Sequence, residues 1–86
     1  MTVTLNLPDY SPETGLSTDW ETGFSVSTSG TANCFHLSAN KAGLISLATH
    51  LMALAQDDVP TGCHIHYDEL NSLEDNSIEL VIQKTD

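Results

Sequence analysis

Basic side chains are nearly absent from this chain: its 86 residues include two, Lys41 and Lys84, against twelve Asp and Glu, for a formal net charge of −10. A field of that sign repels phosphate backbones and anionic headgroups, which argues against nucleic acid or a membrane surface as a partner. It steers basic proteins inward, and it also keeps a small protein soluble. Cysteine is equally scarce. Cys34 and Cys63 are the only thiols, too few and too far apart for the disulfide framework of a small secreted domain, so both are expected to be reduced and partly buried. No stretch approaches the roughly 18 apolar residues that a membrane span needs, and the chain does not open with a basic segment leading into an apolar run. A cytoplasmic location is the resulting expectation. The sequence also lacks a Gly-x-Ser-x-Gly elbow, a glycine-rich phosphate loop and a Cys-x-x-Cys pair. With room for one domain over residues 1–86 and little depth for a water-excluding pocket, the chain reads as a binding protein with no catalytic residue and no cofactor, not an enzyme.

What is present is an alternation of short strand patterns around one helix. Val3, Leu5 and Leu7 alternate with polar residues until Pro8, which predicts a first strand over residues 2–7. The Ser-, Thr-, Pro- and Glu-rich stretch 9–22 predicts a long exposed connection, with Leu16 and Trp20 packed against the domain edge. Residues 24–28 and 32–37 flank Ser29-Gly30 and predict a hairpin. Ser38 or Asn40 is placed to cap a helix, whose apolar stripe is expected to be Leu44, Leu47, Ala48, Leu51, Leu54 and Ala55, widened by Ile45 and Met52. Asp57, Asp58 and Pro60 end it. A second hairpin is expected from Cys63 to Asp68 and from Ile78 to Lys84. The predicted fold is α+β, a mainly antiparallel four- to five-stranded sheet in the order β-ββ-α-ββ, with the one long helix packed on one face. One helix leaves the other sheet face polar or covered by a second chain, and a homodimer is one expected cover.

Period-two alternation puts His64, His66 and Asp68 on one strand face and Cys63, Ile65 and Tyr67 on the other. Two imidazoles in that spacing suit a metal ion, with Asp68 as a third ligand, although a zinc site wants three or four protein ligands and His36 or His50 would have to be delivered by the fold. A small metal-binding or enzymatic domain using His64 and His66 is therefore the alternative reading, and a homodimeric regulatory module a further one. The favoured site is a binding surface made of His64, His66, Asp68, Glu69, Glu74 and Asp75, with no metal. Acidic clusters of this kind are commonly solvated turns, but the size of the charge imbalance favours a patch that meets Arg and Lys of a partner.

From position 36 onward the residues carry a resemblance: His36-Leu37, Asn40, Gly43-Leu44, Leu47-Ala48, His50-Leu51 and Leu54-Ala55, then Pro60, His64-Ile65-His66-Tyr67-Asp68, Leu73-Glu74, Ser77, Glu79-Leu80 and Ile82. This pattern resembles the immunity protein 32 family of bacterial polymorphic toxin systems, over residues 35–84. The weight falls on the His-x-His-x-Asp strand and the Leu-Glu turn after it, since the helical part is a general amphipathic pattern. The resemblance implies a cytoplasmic protein that binds a cognate toxin protein, through a surface complementary to a basic toxin face, and neutralises it without chemistry of its own. It carries over no catalytic residue.

Overall fold

In the computed structural model, which describes residues 1–86, the first strand expected from the sequence is not formed. Residues 1–9 run as an unpaired arm; Val3, Leu5 and Leu7 line a cleft with Trp20, Ile45 and Thr49 along one side of the helix. Gln56 ties the arm down, accepting from the Tyr10 amide at 3.0 Å and donating to the Pro8 carbonyl at 3.4 Å. The observed order is therefore ββαββ: β1 Val26–Gly30, β2 Phe35–Ala39, α1 Lys41–Leu54, β3 His64–Tyr67 and β4 Leu80–Gln83.

The single four- to five-stranded sheet is also corrected. β1 pairs antiparallel with β2, and β3 with β4, as two separate two-stranded sheets. The first hairpin turns at residues 31–34, not at Ser29-Gly30, with Thr31 donating to the Cys34 carbonyl at 2.8 Å. Cys34 is exposed at that turn and Cys63 half-buried, both as free thiols. The second edge of β1 is taken by a loop: Glu74 donates to the Val26 carbonyl (2.9 Å) and Ile78 to that of Thr28 (3.3 Å). The Thr28 side chain donates back to the Ile78 carbonyl, and Ser77 Oγ accepts from the Thr28 amide. Between those two backbone bonds Asn76 takes a φ of 69°. That left-handed residue bends the chain out of register, so the ladder stops instead of fusing the two sheets.

Asn40 caps α1. Its Oδ1 accepts from Gly43 N at 2.8 Å and from Ser25 N at 3.0 Å, and its Nδ2 donates to the Gly23 carbonyl at 2.9 Å, so one side chain starts the helix and fastens it to the approach to β1. Past the helix end, the Lys84 ammonium donates to the carbonyls of Gln56 (2.7 Å) and Val59 (3.0 Å), placing a cation just beyond the C-terminus of α1.

The helix turns a different face inward from the one its leucines suggest. Gly43, Ser46, Leu47, His50, Ala53 and Leu54 are buried, whereas Leu44, Ala48, Leu51, Met52 and Ala55 are exposed. The reason is proximity. A side chain at Gly43 would stand 2.7 Å from the Ser25 carbonyl and 2.9 Å from Val26, so the backbones of helix and strand meet there and only small residues fit. Ser46 is kept inside by hydrogen bonds, accepting from the Glu21 amide (2.8 Å) and donating to the Ala42 carbonyl (2.8 Å). Below this contact lies the core of Val26, Leu47, Leu54, Val59, Ile65, Tyr67 and Leu73. Each such side chain contributes roughly 1.5–3 kcal/mol on burial, which must offset the ordering of the whole chain.

Candidate functional site

The β3–β4 hairpin divides as its alternation requires: Ile65 and Tyr67 face the core, and His64 and His66 face outward. The register pairs His66 with Val81 and Tyr67 with Leu80, so one step further Asp68 stands opposite Glu79. Glu79 and His66 thereby share the outer face, and His66 Nε2 lies 3.5 Å from Glu79 Oε2. One ligand atom from each of His66, Asp68 and Glu79 falls within 4.8 Å of the others. Glu79 is absent from the six residues expected, although the alternation of residues 78–83 already sets it on the outer face; only the register brings it to His66.

The other expected residues diverge. His64 lies two positions up the strand, its Nδ1 3.3 Å from the Gly62 carbonyl, outside the His66 group. Asp68 shapes the loop: its Oδ1 accepts from the amides of Leu70 (2.9 Å) and Asn71 (3.0 Å), and its carbonyl accepts from Ser72 and Leu73. Glu69 reaches across the same loop to accept from Asn76 N at 3.2 Å. Glu74 turns toward β1 and accepts from Ser25 Oγ at 3.1 Å, while Asp75 is exposed. The six residues thus lie on one hairpin and its loop, with His66 and Asp68 clustered and the rest spread along it. Asp68, Glu69 and Glu74 order the loop and still present their charge at the surface.

The two remaining histidines do not join them. His36 is exposed on β2, and His50 is completely buried within α1. His50 Nε2 lies 2.7 Å from the Asp19 carbonyl, which can only accept, so Nε2 carries the proton; Nδ1 then accepts from the Tyr67 hydroxyl at 3.0 Å. Trp20 seals this pair, stacked on Phe24 at 4.2 Å and edge-on to His50 at 4.6 Å. Burial pushes the Tyr67 phenol up to about 12, so it remains a donor. This network joins the helix, the hairpin and the 9–25 connection. It is a buried structural contact in which both His50 nitrogens are engaged.

Chemically, the outer hairpin offers carboxylates and imidazoles on an open surface, suited to meeting cations. The acids are spread over residues 9–21 and 57–86, and the interval between them carries none. Of the two lysines, Lys84 is engaged internally, which leaves Lys41 at the start of α1 as the exposed lysine. No helix is long and apolar enough to cross a membrane. No curated protein and no solved structure matches the chain. The family described as Immunity protein 32 matches residues 35–85, from β2 through β4, and leaves out the arm, the 9–25 connection that supplies Trp20 and the Asp19 carbonyl, and β1 with Val26. That match spans more than half of the sequence, and the chain accordingly belongs to the immunity protein 32 family.

Proposed function

We propose that this protein neutralises a cognate toxin of a bacterial polymorphic toxin system by binding it in the cytoplasm, through the acidic surface around the β3–β4 hairpin. His64, His66, Asp68, Glu69, Glu74 and Asp75 form the contact, with Glu79 beside His66. The observation that carries this reading, within an immunity family, is the charge distribution: the hairpin and its loop present carboxylates while the nearby Lys84 is turned inward. A toxin that acts on nucleic acid needs a basic face. An anionic surface that docks there excludes the substrate by occupancy, and no reaction is required of the inhibitor.

The test is co-expression with the toxin encoded next to this gene. Protection of the cells and a complex that survives gel filtration are expected, with association slowing as salt rises, because steering by exposed charges is screened. Replacing Glu69, Asp75 and Glu79 together by Lys is expected to lower the association rate at least tenfold at low salt. Toxicity unrelieved by the wild-type protein refutes the reading.

A second reading rests on His66, Asp68 and Glu79, whose ligand atoms gather closely enough to attract a divalent ion. One Asp68 oxygen is committed to the loop, so an ion would depend on the other. Metal analysis of untagged protein, beside a His66→Ala, Glu79→Gln variant, decides it: a stoichiometric ion lost in the variant promotes this reading, and metal-free wild type retires it.

A further inference from the structure

The outward face of α1 is apolar in a manner unusual for a solvent-facing helix. Leu44, Ala48, Leu51, Met52 and Ala55 follow one another at spacings of four, three, one and three, which traces a single stripe. Leu44, Leu51 and Met52 remain 55%, 45% and 52% exposed. From Ala42 to Gln56 the helix and its end carry no charged residue. Charge stands only at the tips, with Lys41 at the start and Asp57 and Asp58 after the end.

We propose that α1 packs antiparallel against α1 of a second copy, about a two-fold axis passing near Ala48. Three features select this occupant. The first is repulsion: two chains of charge −10 oppose contact wherever their acids face one another, and α1 carries no acid along its length. The second is end-to-end complementarity. An antiparallel pair brings Lys41 to the partner's Asp57 and the partner's Asp58 at both ends, and opposes the two helix dipoles. Ala48 lies at the middle of the stripe, where a small side chain lets the two backbones approach.

The third feature is surface area. The isolated chain exposes 5940 Å², against roughly 5,000 Å² expected for a folded monomer of its mass. The unpaired arm and the helix face both contribute to that excess, which is comparable to the roughly 800 Å² that each partner buries in a standard interface. A core of only 12 buried residues gives the chain reason to gain from association.

The homodimer expected from the sequence used an open sheet face, whereas this one uses the helix. His50 on α1 meets Tyr67 on β3 across the core, so the outer face of the helix and the outer face of the hairpin point apart. A dimer through α1 therefore leaves the acidic hairpins free at its two ends, and it requires neither the toxin nor the preceding proposal.

Sedimentation of the full chain across a concentration series, at low and high salt and without toxin, tests the inference. The expected mass approaches twice 9.3 kDa, with tighter association at high salt as the mutual repulsion is screened. Toxin docking through carboxylates has the opposite salt dependence. Leu51→Glu and, separately, Leu44→Glu are expected to weaken dimerisation about a hundredfold or more, by burying unpaired charge, with the circular dichroism spectrum unchanged. In a Cys34→Ser background, Ala48→Cys is expected to form a disulfide-linked dimer under mild oxidation and Leu70→Cys is not. A monomer at every concentration, a dimer indifferent to both Glu substitutions, a stripe covered only when toxin is present, or an Ala48→Cys chain that does not cross-link would each overturn the proposal.

Discussion

Replacing Tyr67 by Phe keeps the ring and deletes one oxygen, and that oxygen is the donor to His50 Nδ1 at 3.0 Å. His50 is fully buried, its other nitrogen is committed to the Asp19 carbonyl at 2.7 Å, and Trp20 closes its edge, so water has no ready route to the abandoned acceptor. A buried acceptor left without a partner costs about 1–3 kcal/mol. For a domain of this size each kcal/mol lowers Tm by roughly 4–8 °C, so Tyr67→Phe is expected to melt about 5–20 °C below wild type. Alkali reaches the same bond from the other side. The Tyr67 phenol is raised from 10.0 to about 12 by burial, so the folded state holds its proton more tightly than the unfolded chain. The stability from this group is complete below pH 10 and is lost as pH rises from 10 toward 12, on the order of 2 kcal/mol in all. Urea titrations at neutral pH and through this alkaline window measure both effects. If Tyr67→Phe unfolds within about 0.5 kcal/mol of wild type, the ordinary scatter of neutral substitutions, or keeps the same alkaline loss, the assignment of donor and acceptor in this network is wrong.

Three further outcomes follow from the contacts around the helix. Gly43→Ala improves helix propensity by about 1 kcal/mol, yet its new methyl meets the Ser25 carbonyl at 2.7 Å, and a net loss of about 1–3 kcal/mol is expected in equilibrium unfolding. Asn40→Ala removes the cap together with the links to Ser25 and Gly23 and is expected to cost about 2 kcal/mol, whereas Asn40→Asp keeps the Oδ1 acceptor and loses less. Lys84→Met strands the Val59 carbonyl and leaves that of Gln56 with the Val59 amide alone, and is expected to lower stability by about 1–3 kcal/mol, with hydrogen exchange rising first around residues 56–63.

The helix and both hairpins were legible because each depends on neighbours in sequence: Asn40 three residues before Gly43, and the alternation of residues 63–68 and 78–83. The inward face of α1 was not. Its leucines occupy nearly every side, so hydrophobic periodicity selects no unique direction, and the choice falls to Gly43, Ser46 and Ala53, whose smallness admits a strand and a connection from elsewhere in the chain. The run Gly43, Ser46, Leu47, His50, Ala53 and Leu54 is itself a regular helical stripe. Its signal is small and polar residues in core positions, which hydropathy ranks last. The first strand failed for a related reason: alternation over residues 2–7 is only a local signal, whereas a strand also needs a partner, and residues 2–7 lie along the helix and pair with no strand. At the site, the outward set of His64, His66 and Asp68 could be read from alternation alone. Glu79 beside His66, and the loop-ordering work of Asp68, Glu69 and Glu74, depend on the hairpin register and on Asn76 turning the loop back toward β1.

The splice of residues 74–78 onto β1 also sets when the protein becomes itself. Val26 and Thr28 wait for backbone partners nearly fifty positions downstream, so during synthesis the first hairpin leaves the ribosome with one edge bare and the helix without its full core. Such distant closures slow folding and couple the two halves into one event. The two halves therefore reach their final form together, only when the last hairpin has been released and has found the strand that emerged first.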